Sequence, residues 1–291
     1  MKWIPCSCKF VVVGVSPKNE GVIQVHELTL NKHQEIEPVK WTTEHGISCA
    51  TLGAAPTLSS KHLAYGDSQG NIRIVDINQG VTDSLLEVRN AHKGIINAMD
   101  GIGSQNGGGG PHELVTGGRD GCAKIWDVRV ANGKPVCSLE PKTQNPRDCW
   151  TVAFGNSCTS TDRHVAAGFD NGDLKLFDLR SCKMVWETNV GNGVTSIQYD
   201  RPDILGNKLL VTSLESKFRI YSLRTQVSLQ PLYSFCLGSF AHHIHFIFIH
   251  LSTLKKVSNL HWNEPIKVQF GWVVICPKIE ISLSLVVEMV D

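Results

Sequence analysis

Over its first 225 residues the chain sets apolar runs against polar punctuation at a fixed interval. Leu114–Val128 reads LVTGGRDGCAKIWDV. Fifty-one positions earlier Leu63–Ile77 reads LAYGDSQGNIRIVDI, and fifty-one later Val165–Leu179 reads VAAGFDNGDLKLFDL. In each copy a short β-prone run ends near a glycine, a turn follows, and a second run alternates, as in Ala123-Lys124-Ile125-Trp126. Period-two alternation predicts strands, because successive side chains leave a strand on opposite faces. Gly70, Gly121 and Gly172 supply the positive φ that a tight turn demands, so each copy is expected to be an antiparallel hairpin.

Two weaker copies extend the series. Leu209–Leu223 keeps both strands but has Ser216 at the turn glycine and Ser222 at the closing aspartate; Gly21–Leu28, preceded by Lys9–Gly14, matches the second strand. Between hairpins lies a further β-like run: Gly46–Gly53, Gly94–Asp100, Cys149–Gly155 and Gly193–Asp200. A fourth strand is expected after the closing aspartate, as in Lys134–Glu140 and Lys183–Thr188. Four antiparallel strands repeated every ~40–50 residues make the blade of an all-β propeller. Five blades are recognisable. Seven blades of ~45 residues would need about 315, more than the 291 present, so the propeller is expected to be incomplete.

At this point the residues resemble the WD40-repeat family. Trp126-Asp127, with weaker versions Val75-Asp76 and Phe177-Asp178, is similar to the dipeptide that closes each WD40 unit, and Ala91-His92 to the Gly-His that opens the next. The resemblance maps the family's structural hydrogen-bond tetrad onto His92, Thr116, Asp120 and Trp126. It implies that Asp120 accepts from one nitrogen of His92, whose other nitrogen meets the Thr116 hydroxyl, which reaches the Trp126 indole. Only one blade of the five carries the full set. A catalytic His–Asp reading of the same residues is disfavoured, because no nucleophile recurs near them.

Composition narrows the function classes. With 28 basic and 27 acidic residues the net charge is +1, which offers no electrostatic footprint for nucleic acid or an anionic membrane. The ten cysteines include no C-x-x-C, and together with the absence of an N-x-[ST] sequon they fit free thiols in a reducing compartment. Cys6 and Cys8, two apart, would share one face of a strand. Pro5 and Lys9 interrupt any apolar core of a signal peptide. Gly101–Pro111 is glycine-rich but lacks G-K-[ST] and has Asn106 where G-x-G-x-x-G needs glycine, so it is expected to be a connection between strands.

The chain divides into the blades, 2–226, and an apolar tail, 227–291, without blade signatures. Phe240–Leu251 is too short to span a bilayer, and Gly271–Val290 carries Pro277, Lys278, Glu280 and Glu288. His242, His243, His245 and His250 have no carboxylate or cysteine in ligand spacing, so no metal is expected. The tail is expected to be poorly packed, a foreign or aberrant final segment prone to proteolysis.

Lys93–Gly103, Arg147–Asn156, Phe169–Arg180 and Trp186–Val194 are similar, outside the generic repeat consensus, to the WD-repeat dynein axonemal assembly factors, over roughly residues 2 to 226. Two blades of that family and an N-terminal strand region are not recognisable. The resemblance implies a non-catalytic, cofactor-free cytoplasmic scaffold. Its implied partners are a co-chaperone complex of RuvB-like ATPases and prefoldin-like subunits, together with axonemal dynein heavy chains. Residues alone support an interaction platform, since propeller loops project from rigid strands. A propeller hydrolase would need convergent acid–base residues, which are lacking. A WD40 reader of modified histone tails or ubiquitin stays open as the alternative. By the family's pattern the protein-binding face is expected at Asn97, Arg119, Asp148, Trp150 and Asp170, with Trp150 either an exposed anchor or a ring buried between blades.

Overall fold

The computed structural model describes residues 1–28, 37–57, 59–81, 83–103, 112–130, 133–141, 145–157, 162–200, 208–214 and 217–223, and the backbones of three later strands. Two compact units divide the chain, Met1–Phe246 and Ile247–Asp291.

The first unit holds five four-stranded antiparallel sheets, each a blade with its strands in chain order. Blade 1 comprises β1 (Lys2–Trp3), β2 (Lys9–Val15), β3 (Gly21–Glu27) and β4 (Val39–Thr43). Blade 2 comprises β5 (Ile47–Thr51), β6 (His62–Asp67), β7 (Ile72–Asp76) and β8 (Ser84–Val88). Blade 3 follows with β9 (Ile96–Ile102), β10 (Glu113–Gly118), β11 (Ala123–Asp127) and β12 (Cys137–Leu139). Blade 4 has β13 (Cys149–Gly155), β14 (His164–Phe169), β15 (Asp173–Asp178) and β16 (Lys183–Asn189). Blade 5 has β17 (Val194–Tyr199), β18 (Lys208–Ser213), β19 (Lys217–Ser222) and β20 (Pro231–Cys236).

The hairpin turns lie where glycine permits them, with φ of 87° at Gly70, 74° at Gly121 and 89° at Gly172. Among the described residues the core consists of four apolar layers, one at each junction between successive blades. Ile23, Ile47 and Leu63 fill the first, Ile72, Ile96 and Leu114 the second, Val115, Ile125 and Val165 the third, and Leu174, Val194 and Leu209 the fourth. The second strands of blades 2 to 4 are largely covered on both faces, and β10 is buried from end to end, which explains the apolar and small residues that follow Glu113. Outer strands alternate or lie exposed, as in β16.

Three features depart from the sequence reading. Cys6 and Cys8 share no strand face, because Cys6 adopts φ 55° in a turn in which Ser7 Oγ donates to Ile4 O at 2.8 Å. The boundary at 226 falls too early for the fifth sheet, whose outer strand β20 pairs antiparallel with β19 from Lys217↔Cys236 to Tyr221↔Pro231. An edge strand needs only one hydrogen-bonded neighbour and tolerates proline at its first residue, so it leaves a weak signal. The second unit contains a hairpin that the missing turn signals did not predict. Its strands β21 (Val268–Cys276) and β22 (Ile279–Val287) pair in continuous register down to Cys276↔Ile279.

Candidate protein-interaction face

His92, on the loop from β8 to β9, lies at the centre of a chain of buried side-chain hydrogen bonds. Trp126 Nε1 donates to Thr116 Oγ1 at 2.9 Å, Thr116 Oγ1 lies 2.8 Å from His92 Nε2, and His92 Nδ1 lies 2.9 Å from Asp120 Oδ1. An indole only donates and a carboxylate only accepts. A neutral His92 therefore carries its hydrogen on Nδ1 and receives the Thr116 hydroxyl hydrogen on Nε2. Asp120 also accepts from the amides of Lys93 at 3.0 Å and Cys122 at 3.1 Å. Burial acts to raise its pKa, but the His92 ring and these amides outweigh that and hold the carboxyl well below the usual carboxylate range. Gly118 makes room for the chain, since a β-carbon there would stand 2.3 Å from His92 Nδ1. Thr116 is fully buried, so no substrate can reach the hydroxyl nearest the ring.

A second regularity was not visible in the sequence. In blades 2 to 5 the pairing between first and second strands skips one residue on the first strand: Ser48, Asn97, Trp150 and Thr195. Each is the extra residue of a β-bulge, which bends the strand and re-aims a side chain. Ser48 Oγ donates to Ile96 O, and Asn97 Nδ2 donates to Cys149 O at 3.1 Å. Ile96 and Cys149 open β9 and β13, so these two bulged side chains reach one blade forward, whereas Thr195 Oγ1 lies 2.8 Å from Thr212 Oγ1 in its own blade. Trp150 takes the same route with a ring. A β-carbon on Gly193, immediately before β17, would fall 2.6 Å from Trp150 Cζ3 and 2.8 Å from Asp170 O. Gly193 is thus the floor beneath the indole, whose residue stays half-buried between blades 4 and 5.

Arg119, Asp148 and Asp170 are linked to one another close to Trp150 in the fold, with the Asp170 carbonyl and the indole both against Gly193. Arg119 Nε lies 3.9 Å from Asp148 Oδ2, and Arg147 Nη1 4.0 Å from Asp170 Oδ2. The backbone amide of Asp170 donates to Asp148 O at 3.0 Å and fixes the two acids side by side. Burial, then the neighbouring Asp170, raise the Asp148 carboxyl, with Arg119 opposing. Asp170 Oδ1 is buried without a hydrogen-bond partner among the described residues. Both arginine side chains are more than 60% exposed and only loosely paired, at 70% for Arg119 and 63% for Arg147. Four of the five sequence-derived face residues therefore meet. Asn97 differs, because its amide is engaged in joining blade 3 to blade 4. Sequence reasoning missed Arg147, Gly193 and the bulged Ser48 and Thr195; the glycine ahead of Val194 was the available signal.

The glycine-rich stretch beyond residue 103 and the four tail histidines lie outside the described residues. Among the described residues no group of His, Cys, Asp and Glu is placed to hold a metal, and no helix is long and apolar enough to cross a membrane.

No protein-family model matches the chain. Individual relatives do. Dynein axonemal assembly factor 10 of Homo sapiens is 48% identical over 229 residues, covering 77% of this chain and 62% of that protein. The protein of the same name from Chlamydomonas reinhardtii is 45% identical over 227 residues, with the same coverage. The chain thus spans less than two thirds of the length of these relatives. Among solved structures, Chaetomium thermophilum Sqt1, crystallised bound to the N-terminus of the ribosomal protein L10, superposes with a TM-score of 0.58 at 16% identity, over 79% of this chain and 59% of Sqt1. Repeat spacing, strand order and these likenesses together give the chain the fold of an incomplete WD40-repeat β-propeller, similar over 77% of its length to dynein axonemal assembly factor 10.

Proposed function

We propose that the chain is a non-catalytic scaffold acting in the cytoplasm in the assembly of axonemal dynein. The observation that carries this reading is the 48% identity to a dynein axonemal assembly factor. Its partners on this reading are proteins: RuvB-like ATPases with prefoldin-like subunits on one side, and axonemal dynein heavy chains on the other. The tetrad of His92, Thr116, Asp120 and Trp126 serves as framework, holding the β10–β11 turn that presents Arg119. The face around Arg119, Asp148, Trp150 and Asp170 serves as the contact. A half-buried tryptophan with a fixed floor loses little rotamer freedom on binding, and loosely paired arginines exchange partners readily.

Affinity capture from ciliated cells tests the reading. Bait with the parent sequence is expected to retain dynein heavy chains and RuvB-like ATPases. Arg119→Glu combined with Trp150→Ala should reduce retention about tenfold or more while leaving the unfolding transition in place. Undiminished capture by the double variant would move the contact to another surface. Enrichment of histone tails or ubiquitin instead of dynein would overturn the function itself.

A further inference from the structure

The junction between blades 3 and 4 holds a feature that neither the tetrad nor the interaction face uses. Cys137 opens β12, the outer strand of blade 3, and is 8% exposed. It packs in the apolar layer that Phe177 and Leu179 of blade 4 complete. Cys182 lies in the turn from β15 to β16, is exposed, and adopts φ 49°, a left-handed conformation unusual for a residue with a β-carbon. That turn is tied down by Asp178, which accepts from Arg180 N at 3.0 Å and from Ser181 Oγ at 2.8 Å. Cys182 Sγ in turn lies 3.7 Å from Leu179 O, against the layer that contains Cys137. Leu179 is thus common to both thiols: its carbonyl meets Cys182 and its side chain joins the layer of Cys137, and each thiol bears electrostatically on the other across the junction.

We propose that Cys137 and Cys182 are a redox-modification site, which closes to an interblade disulfide by exchange with a small-molecule disulfide of the glutathione class. Cys182 is accessible and attacks first. Its thiolate bonds to one sulfur of the small disulfide, whose S–S bond breaks, and one small thiol leaves with the electron pair and gains a proton from water. Cys137 then loses its proton and attacks Cys182 Sγ, expelling the second small thiol. Two protein thiols are oxidised by two electrons in all, and one small disulfide is reduced to two thiols. Burial, then the contact with Cys182, push the Cys137 thiol up to about 12, so the second step is the slower one and accelerates with rising pH. Closure draws on the exposed turn rather than on the core, because Cys182 is the half of the pair at the surface. The result staples the outer strands of neighbouring blades, where no backbone ladder joins them.

The test uses the full chain, equilibrated at pH 8 with oxidised glutathione, quenched by alkylation and digested without reductant. A linked peptide joining Cys137 to Cys182 is expected, lost on adding dithiothreitol. The melting midpoint should be about 5–10 °C higher in the linked form. Cys137→Ser should instead leave Cys182 carrying one glutathione, and Cys182→Ser should show neither product at this junction while melting like the reduced parent. The proposal fails if the parent accumulates glutathione on Cys182 without closing, or if Cys182 links to any other cysteine.

Discussion

At positions 116, 120 and 126 blade 3 has Thr, Asp and Trp; fifty-one residues on, blade 4 has Ala167, Asn171 and Phe177. The strands nevertheless pair alike, with Leu114↔Trp126 matched by Val165↔Phe177. What differs is how each turn is secured. Blade 3 does so from below, through a buried chain that ends on Asp120. Blade 4 does so at the surface: Asn171 Nδ2 donates to Asp173 Oδ2 at 2.9 Å, and Asn189 Nδ2 donates to Asp173 Oδ1 at 2.8 Å. Beneath that turn Ala167 is fully buried in an apolar layer. The pair shows that a buried polar network is kept whole or dropped whole. A partial set strands desolvated groups, whereas its complete replacement by apolar residues leaves nothing to satisfy.

The comparison breaks most sharply at the turn acids. Asp120→Ala should cost about 1–3 kcal/mol, since it leaves the His92 ring and the amides of Lys93 and Cys122 without an acceptor. Asn171→Ala should cost less than about 1 kcal/mol, because water replaces its partners. Urea denaturation of both variants decides, and equal losses would remove the distinction.

A second way in is to make blade 3 resemble blade 4. Thr116→Ala and Trp126→Phe are expected to be less costly together than the sum of the single changes, with a coupling on the order of 1 kcal/mol. Strict additivity in a double-mutant cycle would mean that the hydrogen-bonded chain does not act as a unit.

Acid should sharpen the contrast further. The folded-state pKa of Asp120 lies below its ordinary value, so its contribution is fully present above about pH 4 and is lost as pH falls through the lower folded value. Asp148 on blade 4 has the opposite sign. Its folded pKa is raised, so ionisation works against folding once pH climbs through that raised value. Asp120→Ala should therefore flatten the acid limb of the melting curve, while Asp148→Asn should raise the melting midpoint slightly at neutral pH. A neutral-pH midpoint for Asp148→Asn below that of the parent would mean that its pairing with Arg119 outweighs burial and Asp170.

How far the fold could be read follows from coverage. Inner hairpins were legible because their strands are buried on both faces, as in Leu114-Val115-Thr116-Gly117 on β10, and because the turn needs glycine at Gly70, Gly121 and Gly172. Outer strands were less so. The two-sided exposure of β4, with only Trp41 and Thr43 partly covered, removes the alternation that marks a strand, and β8 shows no alternation either, its exposed Ser84 and Leu85 being followed by three covered residues. Arg119, Asp148, Trp150 and Asp170 could be singled out only through the family resemblance, and the way they meet depends on a register skip that no single strand announces. Whether the Trp150 ring would lie open or between blades was undecided in the sequence; Gly193 holds it at the boundary, half-buried.

The bulge at Ser48, Asn97 and Trp150 separates address from message. Backbone pairing determines where the side chain sits and which neighbouring blade it addresses, while the side chain itself is free to be a hydroxyl, an amide or an indole. A propeller built this way can change what it displays at one blade without renegotiating the architecture of the others, so new specificities can be written onto it one position at a time.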